Sequence, residues 1–89
     1  MTTLFARHSV SNYDEWRKVY DGFAPVLKMW GVSAEAVYRG TDNPNDITVM
    51  HEFPTMDAAV AFAYSEDLKK AMQSAGVVGE PTIWFADKT

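Results

Sequence analysis

Residues 13–30, YDEWRKVYDGFAPVLKMW, carry the clearest structural pattern in this chain. The large apolar residues among them recur at spacings of three and four, which places them on one side of a helix. A helix with such a face must lie on a sheet, and a flat organic ligand could bind in the seam between the two. Several of these side chains carry a polar group on an aromatic ring, which suits a ligand wall, although core packing alone also explains them. The stripe consists of Tyr13, Trp16, Tyr20, Phe23, Leu27 and Trp30.

A proline interrupts this helix. Pro25 has no N–H to donate to the carbonyl of Asp21, and it follows Gly22 closely. We therefore expect a kink or a break between Asp21 and Pro25. Gly31 is expected to end the helical stretch.

The rest of the chain alternates strand and helix patterns. Strands are predicted over 3–10, 32–39, 47–53 and 82–86, helical segments after Thr55 and after Ser65, and a loop over 77–81. The order β-α-β-β-α-β predicts a four-stranded antiparallel sheet, with the first and third strands central and the helices on one face. This is the ferredoxin-like α+β arrangement. No repeat or linker divides residues 1–89, so we expect one domain.

The composition narrows the classes of function. The 89 residues are 47% hydrophobic and 13% aromatic, which is generous for a small domain and favours a partner subunit. The absence of cysteine excludes disulfides, thiolate metal sites and cysteine nucleophiles. A net charge of −4 without a basic cluster argues against nucleic acid and anionic membranes as partners. We expect a cytoplasmic protein, because the chain has neither a signal-peptide pattern nor a stretch long enough to span a membrane.

The predicted strands carry apolar residues on both faces. Helices cover only one face, and leaving the other in water would be costly at about 25 cal/mol per Å² of apolar area. We therefore expect a homodimer formed sheet to sheet about a twofold axis. The alternating sets are Leu4, Ala6 and Val10 against Phe5, then Ile47, Val49 and Phe53 against Met50, then Ile83 and Phe85 against Trp84 and Ala86.

Several segments match a known group of proteins. They are Arg7–Val10, Asn12–Trp16, Asp42–Asp46, Ala61–Ser65, Leu68–Lys69, Ala71–Met72, Ala75–Gly79 and Pro81. On these residues the chain resembles the dimeric α+β barrel superfamily, in particular small proteins similar to antibiotic biosynthesis monooxygenases and polyketide cyclases. The resemblance covers nearly the whole chain and implies a ferredoxin-like fold paired as a dimeric α+β barrel. Relatives on this fold include cofactor-free oxygenases, cyclases and haem-degrading enzymes, so the fold alone decides no chemistry.

The motifs narrow the choice of cofactor. The chain has no Gly-rich phosphate loop, serine-nucleophile motif or metal-ligand spacing. His8 and His51 are expected roughly 10 Å apart along the sheet, which argues against a two-histidine metal site. The haem-degrading relatives need an Asn-Trp-His set, and the first strand has no matching asparagine. We therefore expect neither a metal nor a bound cofactor.

His8 is the strongest candidate for chemistry. It lies late in the first strand, and an imidazole with a pKa of about 6.5 could take a proton from a phenol or an enolisable ketone. A buried histidine held by a backbone carbonyl is the alternative. Tyr20 could hydrogen-bond a phenol or quinone oxygen, and Arg39 could stabilise an oxyanion or simply be solvated. The predicted catalytic residues are His8, Tyr20 and Arg39, and the predicted substrate-binding residues are Trp16, His51, Phe62, Met72 and Trp84, of which Trp84 could equally face a dimer partner.

Two functions remain open at this point. The first is a cofactor-independent monooxygenase or cyclase that acts on a small aromatic or polyketide-like molecule bound between the helices and the sheet. The second is a non-catalytic homodimer that binds a small ligand or serves a structural role. A cavity of roughly 300 Å³ or more that reaches His8 favours the first, and a seam filled by aromatic side chains favours the second.

Overall fold

A four-stranded antiparallel sheet with helices on one face organises the molecule. The computed structural model describes residues 1–89. The elements are β1 (Thr2–Val10), α1 (Tyr13–Gly22), α2 (Ala24–Met29), β2 (Ala34–Arg39), β3 (Asp46–Phe53), α3 (Met56–Ala63), α4 (Glu66–Ser74) and β4 (Val77–Asp87). The strand order is β2-β3-β1-β4, which confirms the ferredoxin-like arrangement with β1 and β3 in the centre. None of the helices is long and apolar enough to cross a membrane.

The expected break in the first helical stretch is confirmed. α1 ends at Gly22 and α2 begins at Ala24, with Phe23 between them. The Phe23 N–H donates to the carbonyl of Tyr20 at 3.0 Å, so the chain tightens there before Pro25 occupies the first turn of α2. A proline is tolerated at that position because the first N–H groups of a helix have no partner within it. Gly31 follows α2 with φ of 89°, as expected for a residue after a helix end.

Alternation along the central strands builds the inner face of the sheet. Leu4, Ala6, His8 and Val10 point toward the helices from β1 and are all buried. The matching residues of β3 are Ile47, Val49, His51 and Phe53, also buried. Leu4 stands opposite His51, and His8 stands opposite Ile47. The two histidines therefore lie on the same inner face, four residues apart in register.

The expectation for α3 was wrong in detail. The spacing of Met56, Ala59, Val60 and Ala63 predicts the buried stripe of this helix, with Phe62 at its margin, but Met56 is exposed and Phe62 is completely buried. Thr55 caps the helix by accepting a hydrogen bond from the Ala58 N–H, and this sets where the short helix begins. Its inward face is then formed by Ala59 and Phe62, one turn apart.

The predicted loop over 77–81 is also wrong, because these residues belong to β4. Val77 pairs with Val10 and Val78 with Ser9, whereas Thr82 pairs with Arg7. Residues 79–81 therefore form a bulge against His8, which has no partner on this side. Gly79 has φ of 75°, a conformation that the bulge requires and that glycine adopts without strain. The turn-forming residues that suggested a loop are thus absorbed within a strand.

The outer face of the sheet carries one apolar row. Ala36, Met50, Phe5 and Trp84 stand directly opposite one another across all four strands. The Phe5 and Trp84 rings stack at 5.3 Å with planes 9° apart. Trp84 therefore faces away from the helices, and it is 41% exposed.

We predict that Phe62→Ala lowers the free energy of unfolding by about 3–5 kcal/mol, because Phe62 contacts several aromatic rings and leaves a cavity when truncated. Urea denaturation followed by tryptophan fluorescence measures the change. Tyr64→Ala, two residues further on at an 83% exposed position, is the matched control and should change stability by less than about 0.5 kcal/mol. Equal losses in the two variants would contradict this account of the core.

Candidate functional site

A small apolar cavity lies between the helices and the inner face of the sheet. Its volume is about 50 Å³, and twelve of its fourteen lining residues are hydrophobic. The other two are His8 and His51, which come from the two central strands. The lining residues are Leu4, Ala6, His8, Trp16, Val19, Tyr20, Phe23, Val49, His51, Phe62, Leu68, Ala71, Met72 and Ala75. Six of the eight predicted site residues therefore meet at one cavity.

His8 lies in the seam, as its position on the same side of the strand as Leu4, Ala6 and Val10 predicts. The side chain is buried, and neither ring nitrogen has a hydrogen-bond partner. The ring packs against Trp16 with 5.8 Å between ring centroids. Burial lowers the pKa of His8, an effect that the charge of Asp46 only partly opposes. His8 is thus a neutral imidazole at neutral pH, and the core alternative of a ring held by a backbone carbonyl does not apply.

His51 is held by a hydrogen-bonded chain that reaches the protein surface. Its Nε2 atom lies 2.9 Å from the hydroxyl oxygen of Tyr20, and that hydroxyl donates to Oε2 of Glu35 on β2. Burial lowers the pKa of His51 to about 4, although Glu35 raises it in part. Burial and the hydrogen bond to Glu35 raise the pKa of Tyr20. The hydroxyl of Tyr20 is thereby committed to protein partners, so the expected bond from it to a ligand oxygen is not available.

An aromatic ladder runs along the cavity wall from α1 to α3. The rings of Trp16 and Tyr20 stack with 4.9 Å between their centroids. The rings of Tyr20 and His51 are nearly parallel, with 6.0 Å between their centroids. At the α3 end, the Phe62 ring lies nearly perpendicular to the His51 ring, with 5.8 Å between the ring centroids. These flat surfaces would suit a planar ligand. They also fill much of the seam.

Two predicted site residues lie outside the cavity. Arg39 is on the inner side of edge strand β2, with its guanidinium 3.9 Å from the centroid of the Tyr13 ring. Its Nε also donates to the carbonyl of Pro44 at 3.2 Å, so Arg39 secures the hairpin and α1 and is not positioned to stabilise an oxyanion in the cavity. Trp84 belongs to the outer face of the sheet and cannot wall a ligand bound among the helices. In an isolated strand, alternation alone does not identify the inner face.

Sequence reasoning missed Glu35. Its partner in the β2–β3 pairing is His51, and this register places both residues on the inner face. The sequence offers one signal, because Glu35 is the only polar residue in Ala34–Val37. The face of the sheet on which Glu35 lies follows only when the register of the two strands is known.

The cavity is smaller than the roughly 300 Å³ expected for a site that encloses an organic ligand. At about 50 Å³ it accommodates a diatomic molecule or a water, and a larger guest requires a wall to move. No group of three or more His, Cys, Asp or Glu side chains is placed to hold a metal ion. The volume by itself favours the structural alternative, while the unpartnered imidazoles favour a ligand.

Comparison with solved structures identifies the fold. An antibiotic biosynthesis monooxygenase matches 100% of this chain and 99% of its own, with a TM-score of 0.76 at 14% identity. A Bordetella bronchiseptica protein provisionally assigned to the same group gives 0.82 at 18% identity, covering 99% of this chain and 96% of its own. SnoaB, a cofactor-independent oxygenase from Streptomyces nogalater, gives 0.75 at 17% identity, covering 99% and 94%. No protein-family model and no curated protein matches the chain. The expected resemblance to the antibiotic biosynthesis monooxygenase fold is thus confirmed.

We predict that His51 makes stability depend on pH between about 6.5 and about 4. In this window the unfolded chain binds a proton that the folded chain excludes, so stability is fully present above the window and falls as pH decreases. The shift corresponds to about 3 kcal/mol at pH 4. His51→Gln keeps a side chain that can donate to Tyr20 but does not titrate. Urea unfolding from pH 7 to 4 should therefore show a loss about 3 kcal/mol smaller in the variant, and identical pH profiles would contradict the argument.

Proposed function

We propose that this protein is a cofactor-independent enzyme that removes a proton from a phenol or an enolisable ketone bound between the helices and the sheet. The resulting phenolate or enolate then reacts with dioxygen or closes a ring. SnoaB, which has the same fold, is a cofactor-independent oxygenase, and this supports the oxygenase reading. The observation that carries the proposal is His8, a buried imidazole that lines an apolar cavity with both nitrogens unpartnered.

The state of His8 suits the role of a general base. An unsatisfied buried polar group costs about 1–3 kcal/mol, a cost that a ligand hydroxyl or acidic C–H group would relieve. Because burial lowers its pKa, the ring is neutral and holds a lone pair when the substrate binds. The apolar surroundings also favour spreading the resulting negative charge over an aromatic system instead of leaving it on one atom.

For oxygenation, atoms and electrons balance with dioxygen as the only co-reactant. His8 takes the acidic proton of an anthrone-type ketone, and the enolate transfers electrons to dioxygen as a C–O bond forms. The proton returns from His8 to give a hydroperoxide. Loss of water from the hydroperoxide leaves a quinone, so one dioxygen is consumed and one water is formed for each ketone oxidised.

Entry of an aromatic substrate requires α4 to move. This helix contributes Leu68, Ala71 and Met72 to the cavity wall, yet none of its own residues is fully buried. An element with little buried surface is the least costly to displace. The cavity of about 50 Å³ then represents the state without substrate.

The second candidate is a non-catalytic homodimer in which the seam is only core. It is favoured by the small volume of the cavity and by the way Trp16, Tyr20 and Phe62 fill it. The two candidates differ in whether an aromatic ligand enters and turns over.

We also propose that two copies pair through the outer faces of their sheets. The row Ala36, Met50, Phe5 and Trp84 is the apolar part of that face, and the next row is Tyr38, Thr48, Arg7 and Thr82, whose side chains all carry a polar group. An apolar row flanked by polar residues is typical of an interface centre with a hydrated rim.

The catalytic proposal is tested with anthrone under air. We expect anthraquinone formation with equimolar oxygen uptake, and a fall of about 10²-fold or more in turnover in His8→Asn, which keeps a polar side chain but cannot act as the base. Lys69→Ala, on the exposed side of α4, is the control and should retain activity. Oxidation no faster than in buffer, or full activity in His8→Asn, would count against the proposal.

The dimer is tested by light scattering at micromolar concentration. The protein should have a mass near twice the 10.0 kDa of the chain, and Met50→Glu should reduce it to that of one chain, because the dimer would bury the new charge. Tyr64→Glu places the same charge on an exposed position away from the sheet and should remain dimeric. A monomeric parent protein would overturn the proposed interface.

A further inference from the structure

Two hydrogen bonds link Glu35 through Tyr20 to His51, and the donor of each bond follows from the groups involved. Glu35 lies on edge strand β2 beside an open groove of about 310 Å³, where solvent reaches it. Tyr20 is half-buried on α1, and His51 is buried on β3. The three residues therefore join the protein surface to the cavity.

Counting the protons assigns each hydrogen bond. A carboxylate can only accept, so the single hydroxyl proton of Tyr20 is used in the bond to Glu35. The oxygen of Tyr20 can then only accept from His51. The contact of 2.9 Å between that oxygen and Nε2 must therefore be an N–H donation from the imidazole.

These two hydrogen bonds determine the protonation state of the other ring nitrogen of His51, Nδ1. A neutral imidazole carries one proton, and with that proton on Nε2 the Nδ1 atom holds a free lone pair. Nδ1 is buried and has no partner in the protein. The cavity that His51 lines therefore contains an acceptor whose hydrogen bond has to come from a guest.

We propose that Glu35 and Tyr20 are positioning residues that hold His51 in the Nε2–H tautomer, and that Nδ1 of His51 is a subsite for a hydroxyl group of the ligand. This inference deepens the proposed function and rests on it for the identity of the ligand. Molecules with a phenolic or enolic hydroxyl satisfy the subsite. Ethers of the same shape, and ketones that cannot enolise, leave Nδ1 unpaired and bind less well, since a buried acceptor without a partner is costly.

The tautomer is measured directly by nitrogen-15 NMR on histidine-labelled protein. The chain has two histidines, and His8→Gln assigns the signals. We expect His51 to show a protonated Nε2 and a bare Nδ1 at neutral pH. Glu35→Ala frees the Tyr20 proton to be donated to Nε2, so protonated Nδ1 should appear, although Glu35 does not touch the ring.

Glu35→Gln is the matched control, because its amide oxygen can still accept from Tyr20 and should preserve the tautomer. A protonated Nδ1 in the parent protein would overturn the assignment. An unchanged tautomer in Glu35→Ala would overturn the positioning role. A merely structural Glu35 would affect stability without exchanging the protonated nitrogen.

The ligand preference is tested with 1-naphthol and 1-methoxynaphthalene, which differ in the hydroxyl donor. The parent protein should bind 1-naphthol about tenfold more tightly, and Glu35→Ala should lose most of that preference. Equal affinities in the parent protein, or no binding of either probe, would overturn the subsite. Neither measurement needs turnover. If the protein shows the expected His51 tautomer and the preference for 1-naphthol but does not oxidise anthrone, the proposed catalysis is wrong and this inference still holds.

Discussion

The aromatic stripe of α1 packs against the inner face of β1 and β3, and this contact holds the core and the candidate site together. It brings Trp16 over His8 and Tyr20 over His51, so one helix face desolvates both imidazoles. Burial of these rings lowers both pKa values. The same contact therefore supplies much of the core and sets the protonation state of the candidate site.

The site combines an apolar cavity with buried imidazole nitrogens that have no hydrogen-bond partner, a combination that ordinary cores avoid. Native interiors satisfy nearly all their buried polar groups, yet three imidazole nitrogens here have no partner. A core with only a structural role could replace both histidines with apolar residues and remove this penalty. Their presence beside a cavity therefore agrees with a ligand that completes the hydrogen bonding. The proposed substrate is larger than this cavity, so its entry would require a wall to move. α4 is the candidate, because none of its residues is buried.

The inner face of the sheet carries the candidate site, and the outer face carries the apolar row that the proposed dimer would bury. The β-bulge of residues 79–81 lies beside His8 at the inner face, in the kind of position where bulges redirect side chains near functional sites. The outer row with Met50 and Trp84 is available to a second copy. Because the central strands contribute to both faces, a partner on one side would stiffen the floor of the cavity on the other.

The element order, the helix break at Pro25 and the position of His8 in the seam could be predicted from the sequence, because they follow from local periodicity and backbone chemistry. Sequence reasoning misplaced Met56 and Phe62, and it interpreted 77–81 as a loop, since glycine and proline mark bulges as well as turns. Three features became visible only in the tertiary structure. They are the outward orientation of Trp84, the packing of the Arg39 guanidinium on the Tyr13 ring, and the hydrogen bonds that link Glu35 through Tyr20 to His51. Each depends on strand register or on a meeting of distant elements, and a one-residue change of register would exchange the faces.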